Sequence, residues 1–132
     1  MIREANIDDI PVIQSLMQSI PGFWDKAWRE DVLQLALRSA SGLALVAEQE
    51  GKIVGFVCAH DVGFRGYLSE LAVSATVRGQ GIGAELLGAV EAALSRRGCA
   101  VLLSDVWRDA EGFYRHLGWS QPDVVLLRKK LA

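Results

Sequence analysis

The run Arg78-Gly79-Gln80-Gly81-Ile82-Gly83 joins two stretches of opposite periodicity, and no other feature restricts the fold as much. Before it, Tyr67–Ser74 (YLSELAVS) has the length and composition of a strand. After it, Ile82, Leu86, Val90 and Leu94 recur at four-residue steps, one apolar face of a helix that Gly98 can cap. A strand, a glycine loop and a helix in that order make a phosphate cradle. Glycine removes the side chains that would keep a ligand from the backbone. The first amides of a helix lack intrahelical partners and carry the positive end of its dipole. A pyrophosphate suits such a site, and Arg78 can add charge-assisted bonds to it.

The next segment, AVLLSDVW, is a continuous apolar run typical of a strand buried on both faces, so the loop helix is a parallel crossover. Asp109 then caps a short helix, AEGFYRHL, closed by Gly118, and VVLLRKK reads as a final strand. Upstream the pattern differs. Met1–Ala5 suits a short strand, and Asn6 with Asp9 forms the signature of a capping box. Ile7, Ile10, Ile13, Leu16, Met17 and Ile20 follow at helical spacing until Pro21-Gly22. A second helix is expected over Trp24–Ser39, stopped by Gly42. Two strands, GLALVAEQE and KIVGFVCAHDV, then meet at Glu50-Gly51, a hairpin signal. A parallel crossover joined to an antiparallel half is a mixed α+β class, in one domain spanning residues 1–132.

Hydrophobic residues make up 51% of the chain, enough for a sizeable core and too many for a disordered segment. The formal charge of −2 argues against a nucleic-acid coat or a polybasic membrane anchor. The charged N-terminus does not resemble a signal peptide, and no stretch has the length of a membrane span. Cys58 and Cys99 lie in apolar runs, as buried reduced thiols do, which fits a cytoplasmic protein. Nothing has the spacing of a metal site.

Two other phosphate motifs compete for the loop. A Walker A loop needs lysine and a hydroxyl residue where Ile82-Gly83-Ala84 stands. The dinucleotide fingerprint fits better, with Asp105 where a ribose-binding acid belongs. Only 27 residues follow Asp105, however, too few for a doubly wound sheet.

LAVSATVRGQGIG resembles the acetyl-CoA motif of the GNAT (Gcn5-related N-acetyltransferase) superfamily, with Leu71, Val73, Arg78, Gly81 and Gly83 at its marked positions. AEGFYRHLGW is similar to a second signature of that family, through Ala110, Tyr114, Leu117, Gly118 and Trp119. The resemblance implies a GNAT-like fold: a central mixed sheet of six to seven strands with a splayed parallel pair, flanked by about four helices. It implies acetyl-CoA as cosubstrate, pantetheine pairing with the backbone of Leu71, Ala72 and Val73. The pyrophosphate would lie on Arg78, Gly79, Gln80, Gly81, Ile82 and Gly83. Trp107 stands where family members often place a cofactor-contacting asparagine; it can pack on pantetheine or fill core.

Acetyl transfer needs an amine that loses its proton and a thiolate that regains one. The resemblance makes Tyr114 the general acid. Glu70 is either the base or a strand acid with a local partner, on the face opposite Leu71 and Val73. His60 and His116 read as structural. Phe23, Trp24 and Trp28 wall the acceptor cleft or pack in the core. The implied reaction is direct attack by a primary amine of a small molecule or peptide, the alternative a non-catalytic acyl-CoA-binding module. The acidic balance leans towards a cationic acceptor such as a polyamine or aminoglycoside, and family habit towards a homodimer.

Overall fold

The computed structural model describes all 132 residues. Strand β1 (Ile2–Glu4) leads through one 3₁₀ turn into α1 (Ile10–Gln18), then α2 (Val32–Ala40). An antiparallel run follows: β2 (Ala44–Gln49), β3 (Lys52–Asp61) and β4 (Gly66–Val73). The glycine loop and α3 (Ile82–Arg96) then cross to β5 (Leu102–Leu103), and α4 (Glu111–His116) comes last. The sheet runs β1-β2-β3-β4-β5, and only β4 and β5 are parallel.

Local chemistry explains most of these boundaries. The Asn6 side chain caps the first turn while its own amide donates to Asp9 at 2.8 Å, completing the capping box. Asp9 also takes a two-pronged ion pair from Arg3 at 2.8 and 2.9 Å, which ties α1 to β1. That guanidinium holds the Asp9 carboxyl below its usual range. At the β2–β3 turn, Glu50 and Gly51 both adopt positive φ, as a two-residue hairpin of matching twist requires.

The core lies on both faces of β3. Gly55 points at α3: a Cβ there would sit 2.9 Å from Leu86 Cδ1 and 3.1 Å from Ile82 Cγ2. Its neighbour Phe56 is fully buried on the other face, beside Met17 and Leu33 of α1 and α2. All four residues of the predicted α3 stripe (Ile82, Leu86, Val90 and Leu94) are buried. No helix is long and apolar enough to cross a membrane.

Five expectations need correction. Asp109 caps no helix, and AVLLSDVW, expected as a strand buried on both faces, pairs only at Leu102–Leu103, with Val101 and Leu103 exposed. The sheet has five strands rather than six to seven. Val124–Leu127 of the tail, expected as a strand, are 70–85% exposed and unpaired, because a two-residue β5 offers almost no edge to extend. The predicted helix over Trp24–Ser39 begins only at Val32. The Asp25 side chain accepts the Ala27 amide at 2.8 Å, and this local turn competes with helix through Trp24–Arg29.

Gly55→Val should cost about 1–3 kcal/mol, because the added methyls meet the buried side chains of Leu86 and Ile82. Urea denaturation of the two proteins measures it, and an unchanged midpoint would show that α3 can ride up without loss.

Candidate active site

The site begins where β4 and β5 part. Their register covers only Gly66 with Leu102 and Tyr67 with Leu103. Beyond it, Ser104 Oγ donates to the Leu68 carbonyl at 2.9 Å in place of the next backbone rung. Asp105 accepts from the Tyr67 hydroxyl at 2.5 Å. Strand β4 continues to Val73 with no β5 partner, so a wedge opens alongside Leu71, Ala72 and Val73.

A β-bulge re-aims the side chains at the mouth of that wedge. Cys58 pairs with Glu70 and Ala59 with Leu68, which leaves Ser69 as the extra residue. Gly66 before the bulge and Val73 after it both face α3. Ser69 and Glu70, adjacent in sequence, both turn towards the α2 side and line the same cleft.

Glu70 is largely enclosed there, and burial together with the nearby Asp105 charge pushes its carboxyl up to about 7. Tyr114 of α4 is buried, packed edge-on against Phe113 and Trp119 with ring centroids 5.2 and 5.3 Å away. Burial and the Glu70 charge push its phenol up to about 12, so it stays protonated at neutral pH. Every fully buried side-chain polar atom has a partner, whereas the Tyr114 hydroxyl bonds to no protein group; it therefore opens to solvent.

The loop of residues 74–81 begins with a single turn capped by the Ser74 side chain on the Thr76 amide. Gly79 and Gly81 take φ of +83° and +81°, a region costly for residues with a Cβ. A Cβ on either would meet nothing within 4 Å, so the space above them is open. The amides of Gly79, Gly81, Ile82, Gly83 and Ala84 have no partner in the chain. Arg78 is exposed and unpaired. Gln80 differs from the expectation: its amide donates to Val77 at 3.3 Å and its side-chain oxygen accepts from Gln49 at 2.9 Å. Gly83 is glycine for another reason, since a Cβ there would lie 3.2 Å from the Phe113 ring. That contact seats α4, and so Tyr114, against the start of α3.

On the other side of the sheet lies a cleft of about 570 Å³ between α2 and β3–β4. Trp24 and Trp28 stand in its wall, ring centroids 5.1 Å apart and nearly perpendicular, with Phe56 and Cys58 behind them. Phe23 packs instead on Trp107, which is half exposed and fills no core. Both nitrogens of His60 are engaged, by Ser39 at 3.1 Å and Ser69 at 2.9 Å. His116 is on the surface of α4. Burial pushes the Cys58 thiol up to about 11, which makes it a poor nucleophile.

The sequence reading missed Ser69, Tyr67 and the Ala84 amide, and weighed Asp105 only as a ribose ligand. Tyr67 and Asp105 open one strand and follow the next, a placement that could have paired them. The bulge at Ser69 leaves no mark in the composition.

Glu70 makes folding pH-dependent. The folded protein holds that proton more tightly than the unfolded chain does. Stability from this group is therefore full below pH 4.5 and is lost as the pH rises through about 7. Denaturation midpoints across that range should decline more steeply for the native protein than for Glu70→Gln; parallel curves would contradict an elevated carboxyl.

Comparison with known proteins adds the following. The sequence model described as the Acetyltransferase (GNAT) family matches residues 10–119. A protein named acetyltransferase from Yersinia pestis (strain Pestoides F) is 37% identical over 92 residues, which are 67% of this chain and 65% of that protein. Among solved structures, a transcriptional regulator from Bacillus halodurans C-125 superposes with a TM-score of 0.80 at 20% identity, covering 98% of this chain and 99% of that one. AAC(6')-Iy, solved with the bisubstrate analog CoA-S-monomethyl-acetylneamine, gives 0.78 at 19% identity over 100% of this chain and 98% of that one. At such identities these likenesses concern the fold.

Proposed function

The chain belongs to the GNAT acetyltransferase family, and from that premise we propose an N-acetyltransferase that moves the acetyl group of acetyl-CoA to a primary amine. The amine belongs to a small molecule or a peptide, attack is direct within a ternary complex, and the setting is the cytoplasm. One observation carries the proposal. Five unpartnered amides and the free Arg78 gather at the end of β4, where its unpaired edge opens beside Glu70. The bisubstrate analog bound by AAC(6')-Iy contains CoA, which supports the same cosubstrate on the same fold.

The residues fit that cosubstrate. Gly79, Gly81, Ile82, Gly83, Ala84 and Arg78 would hold the pyrophosphate, with open space above the two positive-φ glycines. Gln80 would brace the loop through Gln49 rather than donate its amide. The unpaired edge of Leu71, Ala72 and Val73 would take the pantetheine as a strand takes a neighbour. When bound, acetyl-CoA supplies an activated carbonyl and a thiol leaving group.

Glu70 would take the proton of the incoming ammonium. At about 7 its carboxyl is partly ionised at neutral pH and basic enough to accept one, which an ordinary surface glutamate is not. Tyr114 would return a proton to the leaving sulfur through the hydroxyl that bonds nothing in the chain. The high Cys58 thiol gives no support to an acyl-enzyme route.

Tyr114→Phe should lower kcat by about a hundredfold or more, the usual size of a general-acid contribution, with acetyl-CoA affinity little changed. An unaltered kcat would remove the tyrosine from this role. Gly81→Val forces a branched side chain to φ +81° and should weaken acetyl-CoA binding by about tenfold or more. Equilibrium binding measures that, and undiminished affinity would count against the loop. Acetyl-CoA binding without acceptor-dependent thiol release would leave a non-catalytic acyl-CoA-binding module.

A further inference from the structure

The charge of the acceptor cleft is opposite to the charge of the whole chain. Although the protein carries −2 overall, Glu70 is the only carboxylate lining the cleft, whereas two arginines, Arg29 and Arg38, stand on it. Both are exposed. The salt bridges of the chain use Arg3 and Arg115, and neither Arg29 nor Arg38 has an acidic or hydrogen-bonding partner. The nearby acids Asp25, Glu30 and Asp31 are exposed and outside the lining. Trp24 and Trp28 line the same cleft as the arginines and Glu70.

An acceptor with several ammonium groups is poorly served by such a surface. One ammonium could reach Glu70, but the others would face two uncompensated guanidinium charges, and like charges brought together cost binding energy. An acceptor with one amine and one carboxylate meets the opposite situation. Guanidinium presents a planar fork of donors that matches a carboxylate, and an unpaired arginine has no internal bond to surrender. The tryptophans offer apolar surface to whatever joins the two ends.

The geometry points to a primary amine that also carries a carboxylate and an apolar body, as a free amino acid does, with Arg29 and Arg38 holding the carboxylate while the amine faces Glu70. This rests on the acetyltransfer reading and narrows it, replacing the polyamine or aminoglycoside that net charge alone suggests. In the step itself the amine nitrogen bonds to the thioester carbonyl carbon and the carbon–sulfur bond breaks. The ammonium gives one proton to Glu70 before attack; the departing thiolate takes the Tyr114 proton, and the second proton of the acylated nitrogen restores the Tyr114 phenol.

The test is acetyl-CoA-dependent thiol release with matched acceptors. Phenylalanine and ε-aminohexanoate are compared with β-phenylethylamine and pentylamine, which lack the carboxylate, and with spermidine. At least one carboxylated amine should exceed its counterpart by about tenfold or more in kcat/KM, mainly through KM, as one charge-assisted contact provides. In Arg29→Gln or Arg38→Gln that ratio should fall towards one, with the thermal midpoint unmoved. A wild-type preference for spermidine or for the bare amines overturns this inference and leaves acetyltransfer standing. Turnover of none of the five, with acetyl-CoA bound, overturns this inference and leaves acetyltransfer to a peptide amine standing.

Discussion

Strands β4 and β5 stop pairing after two residues, and most of what distinguishes this site follows from the backbone groups left open there. A parallel pair in an α/β arrangement normally keeps its ladder, because a buried strand edge without partners is expensive. Here the divergence is held by side chains. Ser104 satisfies the Leu68 carbonyl, and Asp105 binds the Tyr67 hydroxyl across the gap. Past that point the edge of β4 can be satisfied only by water or by a ligand shaped like a strand. The bulge at Ser69 turns Glu70 towards the same opening.

Electrostatically, Glu70, Asp105, Tyr67 and Tyr114 form one field. Burial is the largest influence on Glu70, Tyr67 and Tyr114, and it raises each of them by disfavouring the charged form. Their mutual charges act in the same direction. One carboxyl is thereby brought near neutrality while the phenols remain protonated. Two titrating groups separated in this way are what the proposed acid and base require at one pH. The histidine that sequence inspection considers first is occupied: His60 is bonded to two serines.

Helix α4 shows how packing sets chemistry at a distance. It is short and lacks a side-chain cap, so its own backbone does little to fix it. Its position depends on Phe113 lying against Gly83 and on Tyr114 between Phe113 and Trp119. The glycine loop therefore has two duties that composition cannot separate. Gly79 and Gly81 leave open space above the backbone, and Gly83 admits the aromatic ring that seats Tyr114.

What the sequence determined alone is the local content. The capping box at Asn6, the Glu50-Gly51 hairpin, the α3 stripe and the loop before it depend on neighbouring residues and were readable from spacing. Glu70 and Tyr114 were placed beside the wedge by family resemblance, not by periodicity. The tertiary structure decided whatever depends on residues far apart in the chain. It fixed how far β5 pairs, that the tail forms no strand, and that the Trp24–Asp31 segment turns before α2 begins. It also decided which charges face the cleft between α2 and β3–β4. Net charge is a sum over the whole chain, whereas a ligand meets only the side chains that folding brings to one surface, and here those include Arg29 and Arg38.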